Sequence, residues 1–296
     1  MPDTDLRKLT VEEREGYLKN YLKVLPLISD FTFSSLFMWA DFYSLKLTEF
    51  RGQTCIICTG GDFTPSLLMP MGDIENGFKD LIDYYYNWFA ERGLDLHISH
   101  VEERFIPLIE SVEGYKFEIS YNRDYSDYIY KRDDFISMNG SEYKAFRKKI
   151  RSFEHHFPNH SYSPLTENEI PECLELNELW RKQKGYDADS NETAILLQNY
   201  NSLSLKGGVV RFNGRVQAFL AGEAHGNTGY IIAGKADMKI HGLYLYTLRE
   251  FVRNELPGIR YINRCEDLGL KTLRDAKLSW MPVQILHKYN IKCTRI

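Results

Sequence analysis

The chain carries its own plan twice. Thr10, followed by Val11, Glu12 and Glu13, closes a short extended stretch and opens a helical one, and Thr166, followed by Glu167, Asn168 and Glu169, does the same 156 residues later. In such a capping box the threonine hydroxyl accepts from a free N–H of the first turn while the glutamate reaches back to the cap. Near the end of each half, residues 98–103 read ISHVEE and residues 262–267 read INRCED, an offset of 164 that a small insertion reconciles. Between these markers hydrophobic periodicity predicts one order of elements in both halves. The first half runs strand (6–10), helices (11–23, 33–43), strands (45–50, 54–59, 66–69), helix (74–92), strand (94–101), helix (102–112), strand (115–120). The second runs strand (161–165), helices (167–184, 191–202), strands (208–212, 216–222, 229–233), helix (243–256), strand (260–264), helix (271–278), strand (283–288). A duplicated pattern of this kind folds as two copies of one α+β unit. The 296 residues also lie where single cores give way to two domains. The expected division is a first domain over 1–140, a linking helix over 141–158 and a second domain over 159–296.

Composition narrows the classes. With 43% hydrophobic and 26% charged residues the chain can bury a core, which excludes disordered and collagen-like polymers. The net charge of −4 argues against a histone-like polyanion binder, but it averages two unlike parts. Residues 1–130 hold 12 basic and 22 acidic side chains, net −10, and residues 131–296 hold 25 and 19, net +6. No apolar run reaches the length of a membrane span and the N-terminus has no secretory pattern, so a cytoplasmic location is expected. Five cysteines fit reduced thiols. Cys55 and Cys58 sit three apart in a strand, on opposite faces, and no second pair completes a zinc site. His155, His156 and His160 lack ligand spacing, and no metal site is expected.

Residues 261–282 read YINRCEDLGLKTLRDAKLSWMP. With Tyr128–Tyr130, the basic stretch around Arg147–Arg151, and Lys235 and Ala236 ahead of Gly242, Leu243 and Tyr244, this block resembles the phosphatidylglycerol lysyltransferase C-terminal-domain-like family. The element order resembles the GCN5-related N-acetyltransferase (GNAT) fold present in tandem: two mixed, mainly antiparallel sheets flanked by helices. The resemblance implies an aminoacyltransferase that takes its group from aminoacyl-tRNA and passes it to a hydroxyl or amine acceptor, a phospholipid being one candidate. Two alternatives stay open: an acyl-CoA-dependent N-acyltransferase, and a non-catalytic binding module of the same fold.

Acetyl-CoA-binding members of the fold carry a glycine-rich loop at a helix N-terminus, where backbone N–H groups meet pyrophosphate. The equivalent here keeps Gly242 but places Tyr244 where a second small residue belongs, so acyl-CoA ranks behind aminoacyl-tRNA as donor, and no resident cofactor is expected. Asn263, Arg264, Glu266, Asp267, Arg274 and Lys277 cluster at a strand end and on the following helix. Asp267 or Glu266 is expected to accept the proton, with Asn263 beside them. Lys235, Arg264, Arg274 and Lys277 are expected to bind phosphate or developing negative charge near Gly242 and Tyr244. Asp and Glu ahead of a helix are also ordinary caps, and helix cations ordinary solvated groups. Lys144, Arg147, Lys148, Lys149 and Arg151 put five cations on one predicted helix, 141–157, with Tyr143, Phe146 and Phe153 as its packing side. That face suits a tRNA backbone or an anionic lipid surface, or equally a solvated linker.

Overall fold

The computed structural model describes residues 6–61, 64–186 and 188–296. Strand β1 (Arg7–Lys8) leads to helices α1 (Arg14–Val24) and α2 (Phe33–Trp39), strands β2 (Leu45–Phe50), β3 (Gln53–Cys58) and β4 (Ser66–Leu68), helix α3 (Phe78–Ala90), strand β5 (Leu96–Val101), helix α4 (Ile106–Glu110) and strand β6 (Tyr115–Tyr121). Strand β7 (Asp127–Lys131) and helices α5 (Arg132–Ser137) and α6 (Lys144–His156) follow. The order then repeats as β8 (Ser161–Pro164), α7 (Ile170–Lys184), α8 (Ser190–Gln198), β9 (Lys206–Phe212), β10 (Arg215–His225), β11 (Thr228–Ala236), α9 (Leu243–Asn254), β12 (Tyr261–Asn263), α10 (Lys271–Leu278), β13 (Gln284–Leu286) and β14 (Tyr289–Arg295).

The two sheets have the same plan. One is ordered β1-β2-β3-β4-β5-β14-β6; the other, from its far edge, is β8-β9-β10-β11-β12-β7-β13. In each, the sixth place is filled by a strand from the other repeat. β14 lies antiparallel between β5 and β6, with Ile291 opposite Ile98 and Ile119, and β7 lies antiparallel to β12, with Tyr130 opposite Ile262. The compact units are therefore not contiguous stretches of chain. One comprises the chain to Asp127 with Glu266–Arg274 and Ile285–Ile296; the other comprises Tyr128–Cys265 and Asp275–Gln284. This exchange replaces the unbroken halves expected from the sequence.

Each core follows from periodicity. β3 is buried along its whole length, including both cysteines, and none of the five cysteines is bridged by a disulfide among the described residues. α3 buries Leu81, Ile82, Tyr85 and Phe89 at helical spacing. The second capping box forms in full: the Thr166 backbone N–H donates to Glu169 at 2.9 Å. The first does not, because Glu13 turns to Arg7 at 3.2 Å and Thr10 makes no cap bond. No helix among the described residues is long and apolar enough to cross a membrane.

Candidate functional site

The second unit contains a fork between two parallel strands. β11 pairs with β10 as far as Ala236, but with β12 only over Thr228–Tyr230 opposite Tyr261–Asn263. Beyond Asn263 the chain stays with β7 instead: the Arg264 N–H donates to the Tyr128 carbonyl at 3.1 Å, and the Tyr128 N–H to the Cys265 carbonyl at 3.3 Å. Residues 231–236 of β11 thus face a gap on one side, with Arg264 and Cys265 across it. The Cys265 thiol, in a left-handed residue of φ 56°, lies 3.5 Å from the Ile231 carbonyl at the apex. A bulge sharpens the fork: register shifts between Ala221 and Gly222, and a Cβ on Gly222 would come within 2.0 Å of the Tyr230 carbonyl oxygen. Bulges of this type re-aim a strand beside active sites. The equivalent strand of the first unit, β4, is three residues long and has no such free stretch.

Several expected residues border this fork. Lys235 is buried, 2.5 Å from Asp189 and 4.0 Å above the Trp180 ring, so its charge is already matched within the unit. Lys277 is buried too; its ammonium donates to the Arg264 carbonyl and, at 3.1 Å, to that of Cys265. It therefore shapes the turn after β12 rather than standing open to phosphate. Asn263, fully buried, accepts the Cys265 N–H at 2.7 Å and serves the same turn.

Arg264 differs from these lysines. Its guanidinium carbon lies 5.9 Å from the Tyr130 ring, 6.0 Å from Phe135 and 5.8 Å from Trp280, and Trp280 stacks on Phe135 at 4.5 Å. Its Nη1 is buried with no hydrogen-bond partner. A buried N–H left unmade costs about 1–3 kcal/mol, and each ring at this range returns roughly 0.5–1 kcal/mol.

Gly242 opens α9 with φ 86°, and a Cβ there would sit 2.3 Å from the Lys149 carbonyl oxygen. The glycine is thus required by the close approach of α6. The donors around it are largely engaged: Met238 N–H to Gln183 at 2.9 Å, Lys239 N–H to the Asp237 side chain at 2.9 Å, and Ile240 N–H to the Asp237 carbonyl at 3.1 Å. Tyr244 is half-buried in the first turn of α9.

The remaining three expected residues, Glu266, Asp267 and Arg274, belong to the first unit, so the expected cluster divides between units. Asp267 is fully buried. Arg274 grips it through Nε at 3.0 Å and Nη2 at 2.7 Å, Arg123 approaches at 3.3 Å, and the Gly269 N–H donates at 2.9 Å. Arg274 also reaches Asp124 at 2.6 Å, and these two carboxylates raise its pKa. A carboxylate with this many donors clamps the turn ahead of α10. Glu266 lies 3.1 Å from the buried ammonium of Lys288, which also touches Asp30 and, at 2.9 Å, Asp127. The oxygens of Asp30, Asp127 and Glu266 converge within 4.8 Å, and Lys288 is the cation among them. Burial would depress the Lys288 pKa, but the three carboxylates override it and hold it well above the ordinary lysine value. Burial likewise opposes ionisation of Asp30, yet Lys288 and His100 keep its pKa well below the usual carboxylate range.

On α6 the expected packing residues Tyr143 and Phe153 are buried, Phe146 is half-buried, and Ile150 completes the buried side. Arg147 spends its guanidinium on the Met138 carbonyl and, at 2.8 Å, that of Gly140. Lys144, Lys148, Lys149 and Arg151 are exposed and form no ion pair among the described residues.

Sequence reasoning missed Trp180 and Asp189 around Lys235, and the pair formed by Glu223 and His225 at 2.8 Å on β10, both largely buried. The signal for that pair was two ionisable side chains inside an apolar strand run. The strand had been expected to end at residue 222.

Two sheets of one plan, the second forked between parallel strands with a bulge beside the fork, make a tandem GNAT-like fold. The chain belongs to the phosphatidylglycerol lysyltransferase C-terminal family, whose model matches residues 23–292. A conserved protein of unknown function from Bacteroides thetaiotaomicron VPI-5482 is 29% identical, with 98% of this chain and 99% of that one covered and a TM-score of 0.89. L-PGS from Bacillus licheniformis, at 14% identity, gives a TM-score of 0.68 over 97% of this chain and 92% of its own. FemX, at 11% identity, gives 0.59 over 95% of each chain. The comparison with curated proteins gives no match.

Proposed function

We propose that the chain is an aminoacyltransferase that moves an aminoacyl group from aminoacyl-tRNA to a hydroxyl or amine acceptor, with the fork between β11 and β12 as the reaction site. The observation that carries this reading is the fork itself, in a chain of this family. An aminoacyl ester is already activated, so the protein must chiefly position both substrates and stabilise the oxyanion. The acceptor oxygen or nitrogen attacks the ester carbonyl, a tetrahedral oxyanion forms, and the ribose oxygen leaves as the hydroxyl, taking up the proton the acceptor gives up. Backbone N–H groups along the open edge of residues 231–236 are the donors for that oxyanion. The engaged N–H groups of the turn before α9 favour this donor over acyl-CoA. Glu266 and Asp267 lie in the other unit, and the reading does not depend on them.

The exposed cations of α6 serve as the tRNA-backbone contact. Lys144, Lys148 and Arg151 stand at i, i+4 and i+7, one face of a helix, and α6 packs against the start of α9 at Gly242. A phospholipid acceptor is the family's namesake chemistry, and its test is phosphatidylglycerol in vesicles. The deciding experiment supplies labelled aminoacyl-tRNA or acetyl-CoA to the purified protein with phosphatidylglycerol vesicles or free amines. Transfer from the tRNA is expected. Changing Lys144, Lys148 and Arg151 together to Ala should weaken tRNA binding and lower the slope of log affinity against log salt by about 2–3. Turnover of acetyl-CoA with the tRNA ester untouched would overturn the reading.

A further inference from the structure

We infer that Arg264 is the receptor for a phosphate oxyanion, delivered by one substrate into the fork. The reason is an imbalance of charge. Lys235 beside this strand end has a carboxylate, Asp189 at 2.5 Å, and the Lys277 ammonium donates to two neutral backbone carbonyls. Arg264 has neither carboxylate nor hydrogen bond for its guanidinium among the described residues, although its Nη1 is buried. What holds it is aromatic: Tyr130, Phe135 and Trp280 lie at 5.8–6.0 Å. Phe146 braces the third ring at 4.5 Å, and the Tyr143 hydroxyl donates to the Trp280 carbonyl at 3.2 Å. Rings around a guanidinium fix its plane without neutralising it. The charge and the N–H fork are left for a ligand, and guanidinium geometry matches phosphate bidentately. The backbone of Arg264 is fixed as well, by its N–H to Tyr128 at 3.1 Å and by Lys277 on its carbonyl. A preorganised, unneutralised cation on a residue whose backbone borders the fork is suited to binding and is a poor choice for stability.

Either the lipid headgroup or the phosphates of the tRNA end could supply that oxyanion, and the two arms of one experiment separate them. Binding is measured without turnover, so the outcome is independent of the transferase reading. Arg264→Gln and Arg264→Lys proteins are titrated with phosphatidylglycerol micelles, with uncharged tRNA and with inorganic phosphate, following tryptophan emission. The Gln variant should lose about tenfold to a hundredfold in affinity for one of the first two probes, and the Lys variant should lose less. Without ligand, the Gln variant should melt at the same temperature as the parent or higher, since it removes an uncompensated charge. A Gln variant that binds all three probes as the parent does, or one that melts at a lower temperature because Arg264 is a structural prop, overturns the proposal. Absence of transfer by the parent in the separate transfer assay, with its phosphate binding intact, would count against the transferase reading alone.

Discussion

Lys288→Met should lower the stability of the folded protein by about 3–5 kcal/mol, the usual cost of removing one partner from a buried ionic cluster. The Lys288 side chain is 5% exposed, and its ammonium is the cation among Asp30, Asp127 and Glu266. Without it three carboxylates face one another, and the cheapest relief is to take up a proton. The pH dependence therefore changes form. In the parent, the Asp30 pKa is depressed, so its contribution is complete above the unfolded value near 3.9 and is lost only as pH falls towards the folded value. The Lys288 pKa is raised, so its contribution is complete below about 10.4 and is lost as pH rises beyond that. Between those limits the cluster gives a flat stability profile. In the Met variant, protonation relieves repulsion, and the denaturation midpoint should rise from pH 8 to pH 5. A variant as stable as the parent, or one whose midpoint ignores pH over that range, would remove the cluster as a stabilising element.

Asp267→Asn is the second large effect, and it separates two roles. Asp267 holds Arg274 through two bonds and Arg123 through a third. Its loss strips a fully buried carboxylate from two guanidiniums, and a destabilisation of about 2–4 kcal/mol is expected. The folded fraction should retain turnover within a few-fold. A proton acceptor behaves in the opposite way, with a loss of about 10²–10⁴ in rate at little change in melting. A double-mutant cycle with Arg274→Ala should show coupling, since the pair shares one network. Additive effects would mean that the clamp does not act as a unit.

The parts of this fold legible in the sequence are those that local periodicity encodes. Helices α3, α6 and α7 announce themselves through apolar spacing and, for α7, a working capping box. Alternation also finds most strands, but it does not say which sheet a strand joins. That is why the exchange of β7 and β14 between repeats is invisible there, and why β10 and β11 extend beyond their expected ends into polar residues such as Glu223, His225 and Lys235. Among site residues the sequence shows which charges stand close along the chain, but not their burial or their partners. Asp267, Lys277 and Arg274 carry charges in a suggestive pattern, yet burial commits the first two to their own turn. Arg264, one basic residue in the block 261–282, becomes distinctive only when its aromatic surroundings and missing partner are seen. The fork depends on where β12 leaves β11, and no spacing records that.

The most direct measurement of the central claim uses Cys265. The other four thiols, Cys55, Cys58, Cys173 and Cys293, are buried, and Cys265 is partly exposed at the apex of the fork beside the Ile231 carbonyl. Its alkylation by a small maleimide, followed by peptide mass mapping, reports whether the fork is occupied. Saturating aminoacyl-tRNA, or an aminoacyl ester analogue of its terminal adenosine, should slow alkylation of Cys265 at least about tenfold, and protein already alkylated there should no longer transfer. Alkylation at an unchanged rate under saturating donor, together with full transfer by the alkylated protein, would place the chemistry somewhere other than the fork between β11 and β12.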